Sequence, residues 1–312
     1  MADQQHLDQL KQGVETWNQW RKEHQDIRPD LSEANLERTD LRYVHLEGAN
    51  LRRAHLEEAD LLGAHLEEAD LLGAHLEGAN LRLAFFDGAT NLGRITLGNE
   101  QFGFVSLVDV HWGDINLSLV DWSSMKMLGE ELEARRRNVS KGKKTKQEQE
   151  LEKKERLDHY RWAVRANRQL AVALREQGLS EEGDYFAYRA QVLQRAVWRW
   201  RHRPLKYALS WILDLLAGYG YKPIRSLLIY LFVIGSFTIA YYFLGQMAKL
   251  HISGWGALVY SVTSFHGRGF FPGPGVTNLD NPIIRLAALE AVIGLLVEIS
   301  FIATFTQRFF GK

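Results

Sequence analysis

The chain has 312 residues, with 38 basic and 38 acidic side chains and so no net charge at neutral pH. That balance argues against a globally basic nucleic-acid binder, and the absence of cysteine excludes disulfides and thiolate metal centres. The length suggests about two domains, and the charge is unevenly spread: 130–156 is dense in Lys, Arg and Glu, whereas 280–312 is mostly apolar.

Residues 1–30 lack the apolar core of a signal peptide, so the chain is expected to begin in the cytoplasm, with 1–30 as a helical cap on the next domain. From Leu31 the chain reads in fives: LSEAN LERTD LRYVH LEGAN LRRAH LEEAD LLGAH LEEAD LLGAH LEGAN LRLAF FDGAT. A large apolar residue recurs to Phe86, and Ala34, Thr39, Val44, Ala49 and Ala54 hold the position two before the next one. One residue is then inserted, and the spacing resumes at Leu92, Leu97, Phe102, Leu107, Trp112, Leu117, Trp122 and Met127. Such a period fits neither a helix nor a plain strand. It marks a solenoid whose coils bury their faces by stacking.

These units resemble the pentapeptide-repeat family. The resemblance implies a right-handed, four-sided β-helix over 31–129 with four pentads per coil. Twelve plus eight pentads then give about five coils and a rod on the order of 24 Å long. His45, His55, His65 and His75 share one slot, so that His45 stacks over His65 and His55 over His75. Pairs of histidines lack the three or four ligands of a metal site, so these positions and the Glu47/Glu67 and Glu57/Glu77 ladders are read as solvated, with no metal and no cofactor.

Residues 130–203 read as a charged linker and a helical hairpin. The first helix runs from Leu151 to near Gly178, and Ser180 is the expected N-cap of the second. GDYFAYRAQVLQR (183–195) resembles the hairpin that follows the repeats in membrane-anchored pentapeptide proteins. Trp198, Trp200, Arg201, Arg203 and Trp211 form a basic, aromatic cluster suited to a cytoplasmic lipid interface, with 204–222 as an interfacial helix.

Two segments, 224–244 and 283–305, are long and apolar enough to span a bilayer. Lys222 and Arg225 stand at the start of the first, and Arg308 and Lys312 follow the second. The positive-inside rule then places both termini in the cytoplasm of a cell that carries the chain in its inner or plasma membrane. Between the spans, WGALVYSVTSF (255–265) is apolar but too short to cross. Together with the loop to 273 it resembles the pore helix and filter of the two-span tetrameric cation-channel family. The family's TVGYG filter is absent, and SFHGRGFFPG stands in its place.

The fold class expected is thus a multidomain membrane protein: a quadrilateral β-helix, a helical connector and a two-span α-helical pore domain (223–312) with a re-entrant helix. The resemblance implies a homotetrameric ion channel, in contact with lipid and permeating ions, whose filter residues are Ser264, Phe265, His266, Gly267, Arg268, Gly269 and Phe270. Arg268 opposes potassium selectivity, so the pore is expected to be non-selective or anion-permeable. It either lines the pore or pairs with Glu290 or Glu298 on the second span. The alternative is a membrane-tethered binding scaffold without conduction. A DNA-mimic role is disfavoured because Arg42, Arg52, Arg53 and Arg82 interrupt the acidic surface, and no nucleophile–base pair or phosphate loop points to an enzyme.

Overall fold

The computed structural model describes residues 1–136, 145–248, 251–267 and 281–310. They form two compact units, Met1–Arg203 and Pro204–Lys312.

The first unit is built on the pentads. Each pentad turns a corner: the Ala34 N–H donates to the Leu31 carbonyl at 3.1 Å, and Glu33, the third residue, takes the left-handed conformation at φ 58°. Four corners close a coil, after which residues twenty apart pair as parallel bridges, such as Asp30–Asn50, Asn35–His55, Asp40–Asp60 and His45–His65. Leu31, Leu36, Leu41 and their successors to Leu81 fill the axis at 2 % exposure or less. Alanine holds the slot beside them, with Ala49 to Ala84 fully buried. Each buried leucine removes surface worth about 2 kcal/mol from water.

Two expectations are corrected here. The spacing after Phe86 holds for Asn91, which bridges Asp70, and for Thr96, which bridges His75, but the next partners are Asn80–Ser106 and Phe85–His111. Five extra residues leave the coil as a hairpin, in which Gly98–Asn99 (β1) pairs antiparallel with Gly103–Phe104 (β2). Beyond His111 the chain relaxes into 3-10 turns at Leu117–Leu119 and Trp122–Ser124. Leu117 and Trp122 stay buried as the spacing requires, but after them Met125 and Leu128 are buried and Met127 is half-exposed. Among the described residues each face therefore carries a ladder of four, not five. At ~4.8 Å per step, four coils make a stack of about 19 Å.

Both ends of the stack are closed by side chains. At the start, helix α1 (Gln4–Lys11) and helix α2 (Val14–Glu23) lie over the first coil. Trp17, fully buried, donates its indole N–H to the His45 carbonyl at 2.7 Å. The Asn18 side chain accepts from the His45 N–H and donates to the Tyr43 carbonyl, both at 2.9 Å. Its amide supplies the donor and acceptor that a preceding coil would have offered.

At the far end, α3 (Gly129–Arg135), α4 (Lys146–Glu176) and α5 (Ser180–Trp200) do the same. Glu130 Oε1 accepts from the Leu107 and Val108 N–H groups, each at 2.7 Å. Gln169 Oε1 accepts from the Asp109 N–H at 3.0 Å, and Gln177 Oε1 from the Leu117 N–H at 2.8 Å. The stretch read as a charged linker is thus helical over Gly129–Arg135 and from Lys146, and it buries Glu130 and Glu131. Ser180 is the first helical residue rather than the cap; Leu179 holds the cap position and makes no side-chain bond there.

The second unit contains α6 (Pro204–Ala217), a 3-10 turn (Gly218–Gly220), α7 (Pro223–Met247), α8 (Gly254–Phe265) and α9 (Pro282–Phe310). Proline opens α7, where its missing N–H costs nothing. Among the described residues α7 is the one helix long and apolar enough, by length and composition, to cross a membrane.

Burial pushes the Glu130 carboxyl above the usual carboxylate range, against the pull of the two backbone donors and Arg82. A raised folded value means that the folded unit holds the proton more tightly than the unfolded chain. This group's contribution therefore falls as pH rises from the ordinary glutamate value through the raised one. Glu130→Ala should lower stability by about 3 kcal/mol, since two buried N–H groups lose their acceptor. Glu130→Gln should keep an acceptor, melt closest to the wild type at the acid end and fall less than the wild type as pH rises. Thermal melts of the three proteins between pH 5 and 8 check this.

Candidate functional site

The short helix α8 is the centre of the second unit. It begins with a cap, in which the Ser253 hydroxyl oxygen accepts from the Gly256 N–H at 3.0 Å. Twelve residues give about 18 Å of helix, well short of a bilayer's apolar thickness. The helix packs against both α7 and α9. Near its start, Ala257 sits with Tyr241 and Ile283, and at its end Phe265 sits with Ile234 and Val297. Phe265 is fully buried, and Gly294 on α9 lies so close that a Cβ there would overlap the Phe265 carbonyl oxygen.

The polar atoms of this packing converge on one carboxylate. Glu290 is fully buried, and its Oε1 lies 2.5 Å from Ser261 Oγ, which is also 3.0 Å from the Ile234 carbonyl oxygen. The Tyr241 hydroxyl, Ser264 Oγ and the second Glu290 oxygen are buried in the same packing without hydrogen-bond partners. Sequence reasoning proposed Glu290 as a partner of Arg268 and missed Ser261 and Tyr241. Small residues in an apolar helix, such as Ser261 and Gly294, were the available signal of close helix approach.

Of the expected filter residues, Ser264 and Phe265 are buried within this packing, whereas His266 and Gly267 are exposed at the end of α8. The His266 ring is tied back through Nδ1 to the Val262 carbonyl at 2.8 Å and through Nε2 to the Tyr230 hydroxyl at 3.3 Å. Gly267 turns the chain with φ 66°, a conformation that other residues rarely adopt. Arg268, Gly269 and Phe270 lie outside the described residues, and so does any pairing of Arg268. Glu298 is half-buried on α9.

Helix α6 is inside-out. Its buried residues are Ser210, Asp214 and Ala217, whereas Leu205, Leu209, Trp211, Ile212, Leu213 and Leu215 are exposed. Asp214 accepts from the Arg225 guanidinium at 3.2 Å, and the Ser210 hydroxyl meets that of Tyr219. Of the other expected interface residues, Arg201 and Arg203 are exposed, while Trp198 and Trp200 are half-buried. The Trp200 ring lies 5.7 Å from the Arg156 guanidinium of α4.

The histidine slots of the solenoid stack as expected: His45 on His65 at 4.8 Å and His55 on His75 at 5.0 Å. The glutamate ladders are corrected. Glu57 and Glu77 are each 7 % exposed rather than solvated, and Glu47 and Glu67 are half-exposed. Each histidine is followed two residues later by a glutamate on the same face, so the ladders bring carboxylate and imidazole together. His55 Nδ1 lies 3.2 Å from Glu57 Oε1 and His65 Nδ1 3.3 Å from Glu67 Oε1. The recurring His-Leu-Glu, read with the period-two alternation of a strand, was the signal for this.

If Gly294 sets the approach of α8 to α9, Gly294→Ala should loosen that contact. Faster hydrogen exchange at the Ser261–Phe265 amides and a lower melting temperature in detergent are the expected results, with α7 unaffected.

Residues 30–61 and 59–90 match the model of the family described as pentapeptide repeats, in eight copies. The first unit thus carries a pentapeptide-repeat domain. Solved structures that resemble this chain include a pentapeptide repeat protein from the thylakoid lumen of Arabidopsis thaliana. It is 29 % identical over 28 % of this chain and 68 % of its own, with a TM-score of 0.21. One from the cyanobacterium Cyanothece 51142 is 34 % identical over 27 % of this chain and 61 % of its own, at 0.19. Another, from Nostoc PCC 7120, is 28 % identical over 31 % of this chain and 85 % of its own, at 0.17. Among curated proteins nothing matches the chain.

Proposed function

We propose that this chain, which joins a pentapeptide-repeat domain to an apolar helical unit, is a subunit of a homotetrameric membrane ion channel. In this reading α7 and α9 are the spans, α8 is the re-entrant pore helix and the solenoid is a cytoplasmic regulatory domain.

The observation that carries the reading is the placement of α8: an apolar helix too short to span, held between two long ones and followed by a glycine turn. Irregular backbone at membrane depth is tolerated where protein or a water-filled path surrounds it, and a pore axis supplies both. The exposed faces add support. Leu227, Leu228, Leu231 and Phe232 on α7, with Val292, Leu295, Leu296 and Ile299 on α9, are exposed apolar side chains that suit lipid or neighbouring subunits. The inverted α6 has the same logic, with its polar groups paired inward and its apolar groups turned out. Basic residues at Lys222 and Arg225, and at Arg308 and Lys312, favour a cytoplasmic side for both ends of the hairpin.

Without a TVGYG sequence, and with an arginine beside the turn, the pore is non-selective or anion-permeable in this proposal.

Native mass measurement in nanodiscs and single-channel recording test the proposal together. Four copies with unitary current steps are the expected result. A single copy, without conductance under any voltage, tension or pH, contradicts it and leaves the tethered scaffold. Gly267→Ala should abolish the current without changing the mass, because alanine strains the turn at φ 66°. Unchanged reversal potentials in Arg268→Ala under asymmetric salt would remove the arginine from the conduction path.

A further inference from the structure

The solenoid face that carries His55 and His75 has buried carboxylate chemistry that the channel reading does not use. Glu57, His75 and Glu77 each offer a ligand atom, and these atoms all lie within 4.8 Å of one another. Two independent features single this group out. Glu57 and Glu77 are both more than nine-tenths buried, and they stack one coil apart, so that two like charges face each other away from water. In each, Oε1 has a partner: His55 Nδ1 at 3.2 Å for Glu57, and the Asn99 side-chain amide at 3.3 Å for Glu77. The second oxygen, Oε2, is buried in both with no hydrogen-bond partner. A buried carboxylate oxygen without a donor is costly, and two of them in adjacent steps call for a shared cation.

We propose that Glu57, His75 and Glu77 form a binding site for a divalent transition-metal ion of the zinc, cobalt or nickel class. One imidazole nitrogen and two carboxylate oxygens suit these ions, and the nitrogen disfavours magnesium and calcium. Binding draws the three atoms, within 4.8 Å of one another, closer together, and His75 either gives up the contact of its Nδ1 with Thr96 Oγ1 at 3.2 Å or binds through Nε2; water completes the coordination. His55 holds Glu57 from outside the triad, and Asn99 holds Glu77, so both carboxylates are oriented by a second layer of contacts. The ion bridges two consecutive coils, from Glu57 to His75 and Glu77, and therefore clamps the stacking direction, where each coil depends on its neighbour.

A parallel group, Glu47, His65 and Glu67, occupies the other histidine ladder. It is half-exposed: Glu67 also has a buried oxygen without a partner, but Glu47 does not, so the desolvated pair that defines the first site is absent there.

The test uses full-length protein in detergent, stripped with chelator and titrated with zinc chloride by calorimetry, alongside thermal melts. Wild type should bind zinc and melt higher with zinc than with chelator. His75→Asn should weaken binding by about tenfold or more. The double variant Glu57→Gln/Glu77→Gln should melt higher than wild type in chelator, because the charge repulsion is gone, and should lose the response to zinc. This removes misfolding as an explanation for lost binding. Glu47→Gln/Glu67→Gln should keep the response. The proposal is overturned if wild type shows no zinc-dependent shift, if the Glu57/Glu77 variant keeps one, or if the response follows Glu47 and Glu67. It is equally overturned if acid alone stabilises the wild type and zinc adds nothing, since a proton would then neutralise the pair.

Discussion

Every coil of the solenoid depends on its neighbour for the hydrogen bonds of its peptide groups. The bond from the Leu31 N–H to the Asn50 carbonyl at 2.8 Å recurs at Leu36–His55 and Leu41–Asp60, and no coil satisfies itself. A stack of this kind propagates readily, and its weakness lies at its two ends, where a row of donors and acceptors faces nothing. Here the ends are closed by amides and a carboxylate from helices: Asn18 at one end, and Glu130, Gln169 and Gln177 at the other. The helices before and after the pentads are therefore parts of the solenoid's hydrogen-bond network, which is why 1–203 is one compact unit.

The repeat was legible because one constraint, a buried apolar residue every five positions, is written directly into the residue types from Leu31 to Phe86. The end closures were not legible. Asn18 and Gln177 are ordinary polar residues on polar helices, and their partners are backbone groups 25 to 62 residues away with no side-chain signature. The excursion at Gly98–Phe104 was hidden for another reason. It adds five residues, so the phase of the repeat survives and Ser106 meets Asn80 as though nothing had intervened. The burial of Glu57 and Glu77 was missed because a glutamate beside a histidine in a repeat reads as surface. The neighbouring coil, and the Asn99 side chain brought in by the hairpin, cover it.

In the second unit polar pairing inside the fold coexists with an apolar exterior. Polar groups again find partners within the fold, at Asp214–Arg225 and Ser261–Glu290, but the exposed surfaces of α6 and α7 are apolar. Hydropathy made α7 and the short length of α8 readable. The contacts that hold α8 depend on Gly294 and Ser261, two small residues whose meaning appears when the helices are brought together. The two units thus share polar pairs inside the fold and differ outside, where the faces of α6 and α7 are apolar.

The central claim is that α8 enters the membrane from one side and returns. The chain has no cysteine, so single cysteines can be introduced along His251–Gly267 without background. Their reaction with a membrane-impermeant thiol reagent, applied to each side of sealed vesicles, is the most direct measurement. Protection along the α8 positions, with reactivity returning from the outside at His251, is the predicted pattern. Uniform reactivity of the whole segment from outside would mean a wetted surface loop and would contradict the account.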